Sequence, residues 1–99
     1  MNGVIIPSSG SIKVVNFVNS TTPTIAAYGD ATYTIDTFSI PSGYTPLACL
    51  KVSAGQIQME VTEFNAQTGA IKIHNYGSSN RACAPEMTVA FIKSSEILT

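Results

Sequence analysis

Apolar and polar residues alternate along several short stretches of this chain. In residues 57–62, 71–74 and 87–92, an apolar residue recurs at every second position, which indicates β-strands with one buried face. Glycine and proline interrupt the chain about every ten residues, and β-branched residues dominate between them. This spacing is typical of an all-β sandwich or barrel.

The pattern predicts individual strands over residues 4–6, 12–18, 32–40, 47–52, 57–62, 71–74 and 87–92, and a brief edge strand over 25–28. Residues 47–52 are almost all apolar, so we expect a central strand buried on both faces. Within 32–40, the inward positions skip one residue near Asp36 and Thr37, which predicts a β-bulge. Residues 65–69 and 77–85 read as loops.

This order of strands and turns favours one all-β domain over residues 1–99. The expected fold is an antiparallel two-sheet β-sandwich of jelly-roll type, with about seven or eight strands. A partly closed barrel is the alternative.

Charged residues are scarce, and this narrows the classes of function. They make up 11% of the chain, against about 25% in average soluble domains. With five Lys and Arg, six Asp and Glu, and no run of like charge, we expect no nucleic-acid partner. The apolar runs are far shorter than the ~20 residues that span a bilayer, and the N-terminus lacks a signal-peptide pattern, so we expect no membrane insertion.

Low charge also suggests self-association. The formal net charge is -1 and the mean hydropathy is +0.22, and a surface near zero net charge promotes association. We therefore expect one face to be buried against copies of the same chain.

The chain has two cysteines, Cys49 and Cys83, which allow one disulfide or none. Neither belongs to a Cys/His cluster with metal-ligand spacing, so we predict no metal and no cofactor. We expect both thiols to be reduced, with Cys49 in a buried strand and Cys83 in a polar loop.

Four motifs follow one another in the second half of the chain. The segment IPSGYTPL (40–47) leads into an apolar strand, residues 56–64 alternate outward, NYGSS (75–79) ends the next strand, and an apolar strand (87–92) follows. Over residues 31–93 the chain thereby resembles the C-terminal receptor-binding head, baseplate and tail-fibre tip domains of phages of Gram-positive bacteria.

The resemblance implies a homotrimeric β-sandwich in the phage tail, assembled in the bacterial cytoplasm. Such a domain binds saccharide on the host surface or braces the tail tip against other tail proteins. A trimer lets three weak sugar sites act together. The long shaft or coiled-coil neck that usually precedes these heads is not present in this sequence.

Saccharide binding needs an aromatic face with polar groups beside it, which tyrosine provides. Tyr44 follows a turn glycine and Tyr76 precedes one, while His74 shares a strand face with Tyr76. The loop after Tyr76 adds Asn80 and Arg81, the only arginine. These five residues are the predicted ligand-binding set, and an ordinary solvated face and polar loop are the alternative.

The sequence predicts no catalytic residue. A dyad of Cys83 and His74 lacks an orienting third group. Glu60 and Glu63 follow a solvent-facing pattern without a predicted cleft, and Asp30 is assigned to local backbone bonding. The expected function is non-catalytic attachment to host glycan. The alternatives are a purely structural virion protein, a bacterial adhesin subunit and, last, a hydrolase.

Overall fold

The computed structural model describes residues 11–96, and the strand predicted at 4–6 lies outside them. The described chain contains eight β-strands, one 3-10 turn at Ser94–Glu96 and no α-helix. The strands are β1 (Ile12–Val18), β2 (Thr24–Ile25), β3 (Asp30–Thr34), β4 (Tyr44–Ser53), β5 (Met59–Asn65), β6 (Ala70–Asn75), β7 (Arg81–Ala82) and β8 (Glu86–Lys93). The all-β prediction is confirmed, and β1 has the predicted bounds.

All strand pairs are antiparallel, and they form three sheets within residues 11–96. Sheet I has the order β1-β8-β4, sheet II has the order β3-β6-β5, and a two-stranded ribbon joins β2 to β7. The third sheet departs from the predicted two-sheet sandwich. It forms because two predicted loops meet, with Thr24 opposite Ala82 and Ile25 opposite Arg81.

Sheets I and II share one hydrophobic core. The central strand of each sheet supplies the largest part of this core: Met87, Val89 and Phe91 come from β8, and Ile71 and Ile73 come from β6. None of these side chains has exposed surface, and all five are positions that the alternation predicted to face inward. Each such side chain contributes about 1.5–3 kcal/mol by leaving water. The aromatic rings of β1 and the segment after β3 complete the core around these residues.

The prediction for residues 47–52 is wrong in one respect, because β4 is an edge strand. The register with β8 shifts between Pro46 and Ala48 and again between Cys49 and Lys51. The extra residues, Leu47 and Leu50, are 57% and 58% exposed. Local composition favours a central strand, but β8 takes that place because it pairs on both sides.

The predicted bulge near Asp36 is also wrong. Strand β3 ends at Thr34, and the next residues form a turn in which Phe38 N–H donates to Ile35 O at 3.0 Å. Three of the four positions that the bulge prediction requires to face inward do so: Ile35 is buried, and Tyr33 and Phe38 pack on the core. The fourth, Ile40, is 41% exposed. A tight turn brings Ile35 and Phe38 inward without a bulge.

Side-chain hydrogen bonds tie the end of β1 to the turn after β3. Ser20 donates to the Asp36 carboxylate through both its backbone N–H and its hydroxyl, and Asp36 N–H donates to Asn19 Oδ1 at 2.9 Å. Thr37 Oγ1 donates to Val18 O at 3.0 Å. The bonds from Ser20 lower the pKa of Asp36. Asp36 therefore links two sheets.

The cysteines are free thiols, but their surroundings differ from the prediction. Cys83 is 2% exposed and belongs to the core, whereas Cys49 is half-buried at the edge strand. Cys83 turns inward because its N–H donates to Pro23 O at 2.8 Å, which extends the ribbon. Burial raises the pKa of both thiols.

Candidate functional site

The outer face of sheet II carries the most chemically varied group of side chains. Strand β6 directs Ile71, Ile73 and Asn75 inward. The alternation therefore places Lys72 and His74 on the outer face, with Tyr76 directly after the strand, as predicted.

His74 lies between two carboxylates that come from the neighbouring strands. Asp30 of β3 and Glu60 of β5 are its register partners on either side. His74 Nδ1 and Asp30 Oδ1 are 2.6 Å apart, within hydrogen-bonding distance. Directly opposed residues in antiparallel strands interact through their side chains, so the three groups form a row across the sheet.

Tyr76 stands at the end of this row and is 53% exposed. Its ring meets the His74 ring edge-on, with the centroids 4.2 Å apart and the planes at 72°. The Tyr76 hydroxyl donates a hydrogen bond to the Glu60 carboxylate, and this bond raises the pKa of Tyr76. Tyr76 is thus oriented by two neighbours while half of its surface remains in water.

The buried side chain of Asn75 fixes the backbone on both sides of Tyr76. Its Nδ2 donates to Ile25 O at 3.1 Å and Ser79 O at 2.9 Å, and its Oδ1 accepts from Gly77 N–H at 2.8 Å. Since a buried amide is stable only when hydrogen-bonded, these contacts specify one conformation for the loop after β6.

Two non-glycine residues with positive φ contact the same segment. Tyr28, at φ 58°, donates its N–H to Gly77 O, and Gln58, at φ 59°, accepts from Tyr76 N–H at 2.7 Å. Such left-handed conformations cost on the order of 1–3 kcal/mol each and cluster at functional sites. Tyr28 is 66% exposed, so two exposed tyrosines lie at this end of sheet II.

The structure brings part of the predicted set together. Asn80 Oδ1 accepts from Ala27 N–H at 3.0 Å, which joins the loop after Tyr76 to the turn before β3. Arg81 belongs to the ribbon, opposite Ile25, and is half-buried. Tyr44 lies in sheet I, where Lys13 Nζ is 5.0 Å from the centre of its ring. His74, Tyr76 and Asn80 are therefore grouped around one end of sheet II, and Tyr44 belongs to a different sheet.

Sequence reasoning missed Asp30, Glu60 and Tyr28 as members of this group. The sequence predicts local backbone bonding for Asp30 and a solvent-facing position without a cleft for Glu60, but both flank His74. The outward alternation of β5 pointed Glu60 to the surface. The alternation does not give the strand order, and it is the strand order that places β3 and β5 on either side of β6.

A shallow hollow of about 290 Å³ continues the outer face toward the other end of sheet II. Lys72 and Thr32 line it together with Phe64, which is 52% exposed. Lys72 Nζ also lies 3.5 Å from the Glu63 carboxylate. The polar face therefore extends along β6 beyond His74.

This arrangement can bind a polar ligand on an aromatic surface. The Tyr76 ring offers an apolar body, and the imidazole and carboxylates beside it offer donors and acceptors. The Cys83/His74 dyad is not assembled, because Cys83 is in the core and His74 lies on the outer face of β6. Residues 11–96 contain no group of three His, Cys, Asp or Glu side chains placed to hold a metal.

Within the same residues, no helix has the length and apolar character needed to cross a membrane. Comparison with known proteins found no match: no family model fits the chain, and no curated protein or solved structure is significantly similar to it.

Proposed function

We propose that this protein is a non-catalytic attachment module of a phage tail tip that binds saccharide on the host cell surface. One observation carries the proposal: Tyr76, 53% exposed, is held against His74 beside two carboxylates. The motif resemblance over residues 31–93 supplies the phage context, and the module would act in the virion after assembly in the bacterial cytoplasm.

The geometry suits a sugar because a sugar ring has an apolar C–H face and a rim of hydroxyls. An aromatic ring packs against the apolar face, and planar carboxylate and imidazole groups bond the hydroxyls. Tyr76 and His74 are positioned by Glu60 and Asp30 before any ligand arrives. Such preorganisation reduces the ordering cost of binding.

We also propose that the module acts as a homotrimer of jelly-roll-like sandwiches. The support is the outer side of sheet I, where Val14, Leu47 and Leu50 are each more than half exposed. We name this the apolar face; the exposed Ala48, which lies opposite the buried Ala90, also belongs to it. Burial around a three-fold axis would remove this surface from water and group three weak sites.

A glycan array followed by host-cell adsorption tests the saccharide site. Tyr76→Ala is expected to lower glycan affinity about tenfold, equivalent to about 1.4 kcal/mol, because it removes the ring on which the sugar packs. Phe64→Ala is the matched control, since Phe64 has almost the same exposure, 52% against 53%. Unchanged binding in both Tyr76→Ala and His74→Ala would contradict the proposal.

The same assay examines the loop after Tyr76. Asn80→Ala removes the hydrogen bond that joins the loop to Ala27, so it tests support of the loop. Arg81→Ala tests direct contact of the loop with the ligand. Unchanged adsorption for both would remove the loop from the site and leave the row on sheet II.

A second candidate is a purely structural virion protein that binds other virion subunits. The apolar face favours it, because an exposed patch of large apolar side chains marks protein contacts. The two candidates separate in one experiment. If Leu47→Lys and Leu50→Lys abolish co-assembly with purified tail particles while no glycan binds the wild-type chain, the structural role is correct.

A further inference from the structure

We propose that β1 is an interaction edge on which a second copy of this chain adds its own β1 antiparallel. The two copies of sheet I would then form one continuous sheet across a two-fold axis. The inference goes beyond saccharide binding and does not depend on it.

The hydrogen bonds at both ends of β1 show which backbone groups face outward. Ser11 O accepts from Lys93 N–H at 2.8 Å, and Asn19 N–H donates to Pro85 O at 2.9 Å. Antiparallel bonding alternates along a strand, so the odd-numbered residues bond to β8. The N–H and C=O groups of residues 12, 14, 16 and 18 therefore point away from β8. The bond that Val18 O accepts from Thr37 on that side agrees with this direction.

The other edges of the two large sheets carry features that discourage pairing. β4 contains Pro46 and two register shifts, β5 contains a register shift and two glutamates, and β3 is only five residues long. Prolines, bulges, charges and short length are the usual protections of an edge strand. β1 has seven residues, no proline and an unbroken register with β8.

The side chains of β1 suit a second copy of the same strand. Those on its outer face include Ile12, Val14 and Val18, which are 37%, 56% and 43% exposed. A two-fold axis at Val15 places Ile12 of one copy opposite Val18 of the other, and Val14 opposite Asn16. The Ile12–Val18 pair occurs twice across the axis, and apolar cross-strand pairs stabilise a sheet.

Charge selects the antiparallel arrangement. Lys13 is the one charged residue of β1. With the axis at Val15, the two Lys13 residues lie four positions apart along the strand, about 13 Å, which exceeds the screening length of about 8–10 Å in ordinary salt. Parallel pairing in register would place them side by side, where like charges repel.

The pairing has two-fold symmetry, so its assemblies contain an even number of chains. It is compatible with the proposed trimer only as two trimers joined through β1. Sedimentation equilibrium of the full chain gives the number of copies. Hydrogen exchange followed by NMR shows whether the amides of Val14 and Asn16 become protected as the protein concentration rises.

Two variants separate the edge from the apolar face. Val14→Pro removes an outward N–H and keeps the face apolar, whereas Leu50→Lys charges the face and leaves β1 intact. If Val14→Pro does not fold by circular dichroism, Val14→Lys replaces it, because it keeps the N–H ladder and brings two like charges about 7–8 Å apart across the axis. Since Val14→Lys also charges the apolar face, Leu50→Lys is the control for that change.

We expect an even-numbered wild-type assembly, pairs that persist in Leu50→Lys, and at least a tenfold weaker association through β1 in the Val14 variant. Protection of the Asn16 amide should be lost with it. A wild-type monomer or a lone trimer would overturn the inference. So would even-numbered wild-type assemblies in which the Val14 and Asn16 amides exchange freely, since that would place the contact elsewhere.

Discussion

The outer face of sheet I is largely apolar, whereas the outer face of sheet II carries charged and aromatic side chains. On sheet I, the polar side chains pair with one another: Thr88 with Asn16 at 2.6 Å, Thr45 with Ser94 at 2.7 Å and Lys51 with Glu86 at 2.9 Å. On sheet II, the row beside His74 ends in a half-exposed tyrosine.

The difference separates two kinds of surface. A face whose polar groups are already paired can be covered by protein without leaving them unsatisfied. A face with an oriented aromatic ring and accessible polar atoms suits a small polar ligand. The parts of the two inner faces that form the shared core are both apolar, so the outer faces show the main difference between the sheets.

The largest expected effect tests whether the inner faces are equivalent. Phe91→Ala in sheet I should lower the free energy of unfolding by about 3–5 kcal/mol, and Ile73→Ala in sheet II by about 2–5 kcal/mol. Both residues have no exposed surface, so truncation leaves a cavity. Urea unfolding measures both changes. Tolerance of one change and not the other would show that the two sheets do not share one core.

The next effect concerns the support of the polar face. Asn75→Ala should lower the free energy of unfolding by about 2–4 kcal/mol, because it leaves buried partners such as Gly77 N–H unsatisfied. Asn80→Ala, which removes one exposed hydrogen bond, is the control and should cost no more than about 1 kcal/mol. Comparable losses in the two variants would refute a special role for Asn75.

A smaller effect depends on pH and reports on the link between the sheets. Ser20 lowers the pKa of Asp36, so the folded state favours the ionised carboxylate. Its contribution is present above the ordinary aspartate pKa of about 3.9 and is lost as the pH falls through the folded-state pKa.

Asp36→Asn provides the comparison for this pH effect. The stability difference between wild type and variant should therefore shrink between about pH 5 and pH 2. Urea unfolding along that series measures it. A difference that stays constant over the series would mean that the Ser20 contacts do not depend on the carboxylate charge.

The smallest expected change in stability lies on the apolar face. Leu50→Lys should alter the free energy of unfolding by no more than about 0.5 kcal/mol, because Leu50 is 58% exposed in an edge strand. Its effect should instead be seen in light scattering, as a loss of the proposed trimeric contact. A strong destabilisation of the isolated protomer would show that the face belongs to the fold itself.

Alternation was a reliable guide where strands are central. It identified the buried positions of β8 and β6, while the turn residues of 65–69 identified the hairpin loop between β5 and β6. It was misleading at β4, where an apolar run became an exposed edge, because a run of apolar residues contains no information about which strand pairs on both sides. Only part of the candidate site could be predicted from the sequence for the same reason. His74 and Tyr76 are two residues apart at the end of β6, whereas Asp30 and Glu60 belong to the neighbouring strands.

The sequence by itself determined the class of fold, the inward set of β6 and β8, and the scarcity of charge that suggests self-association. These properties are local, since each depends on neighbouring residues and on the two-residue repeat of a strand. Only the tertiary structure decided the strand order, the ribbon that buries Cys83, the row across sheet II and the place of β1 at the edge of sheet I within residues 11–96. These depend on contacts between residues far apart in the chain, which arise when competing strand pairings are resolved by burial of a common core.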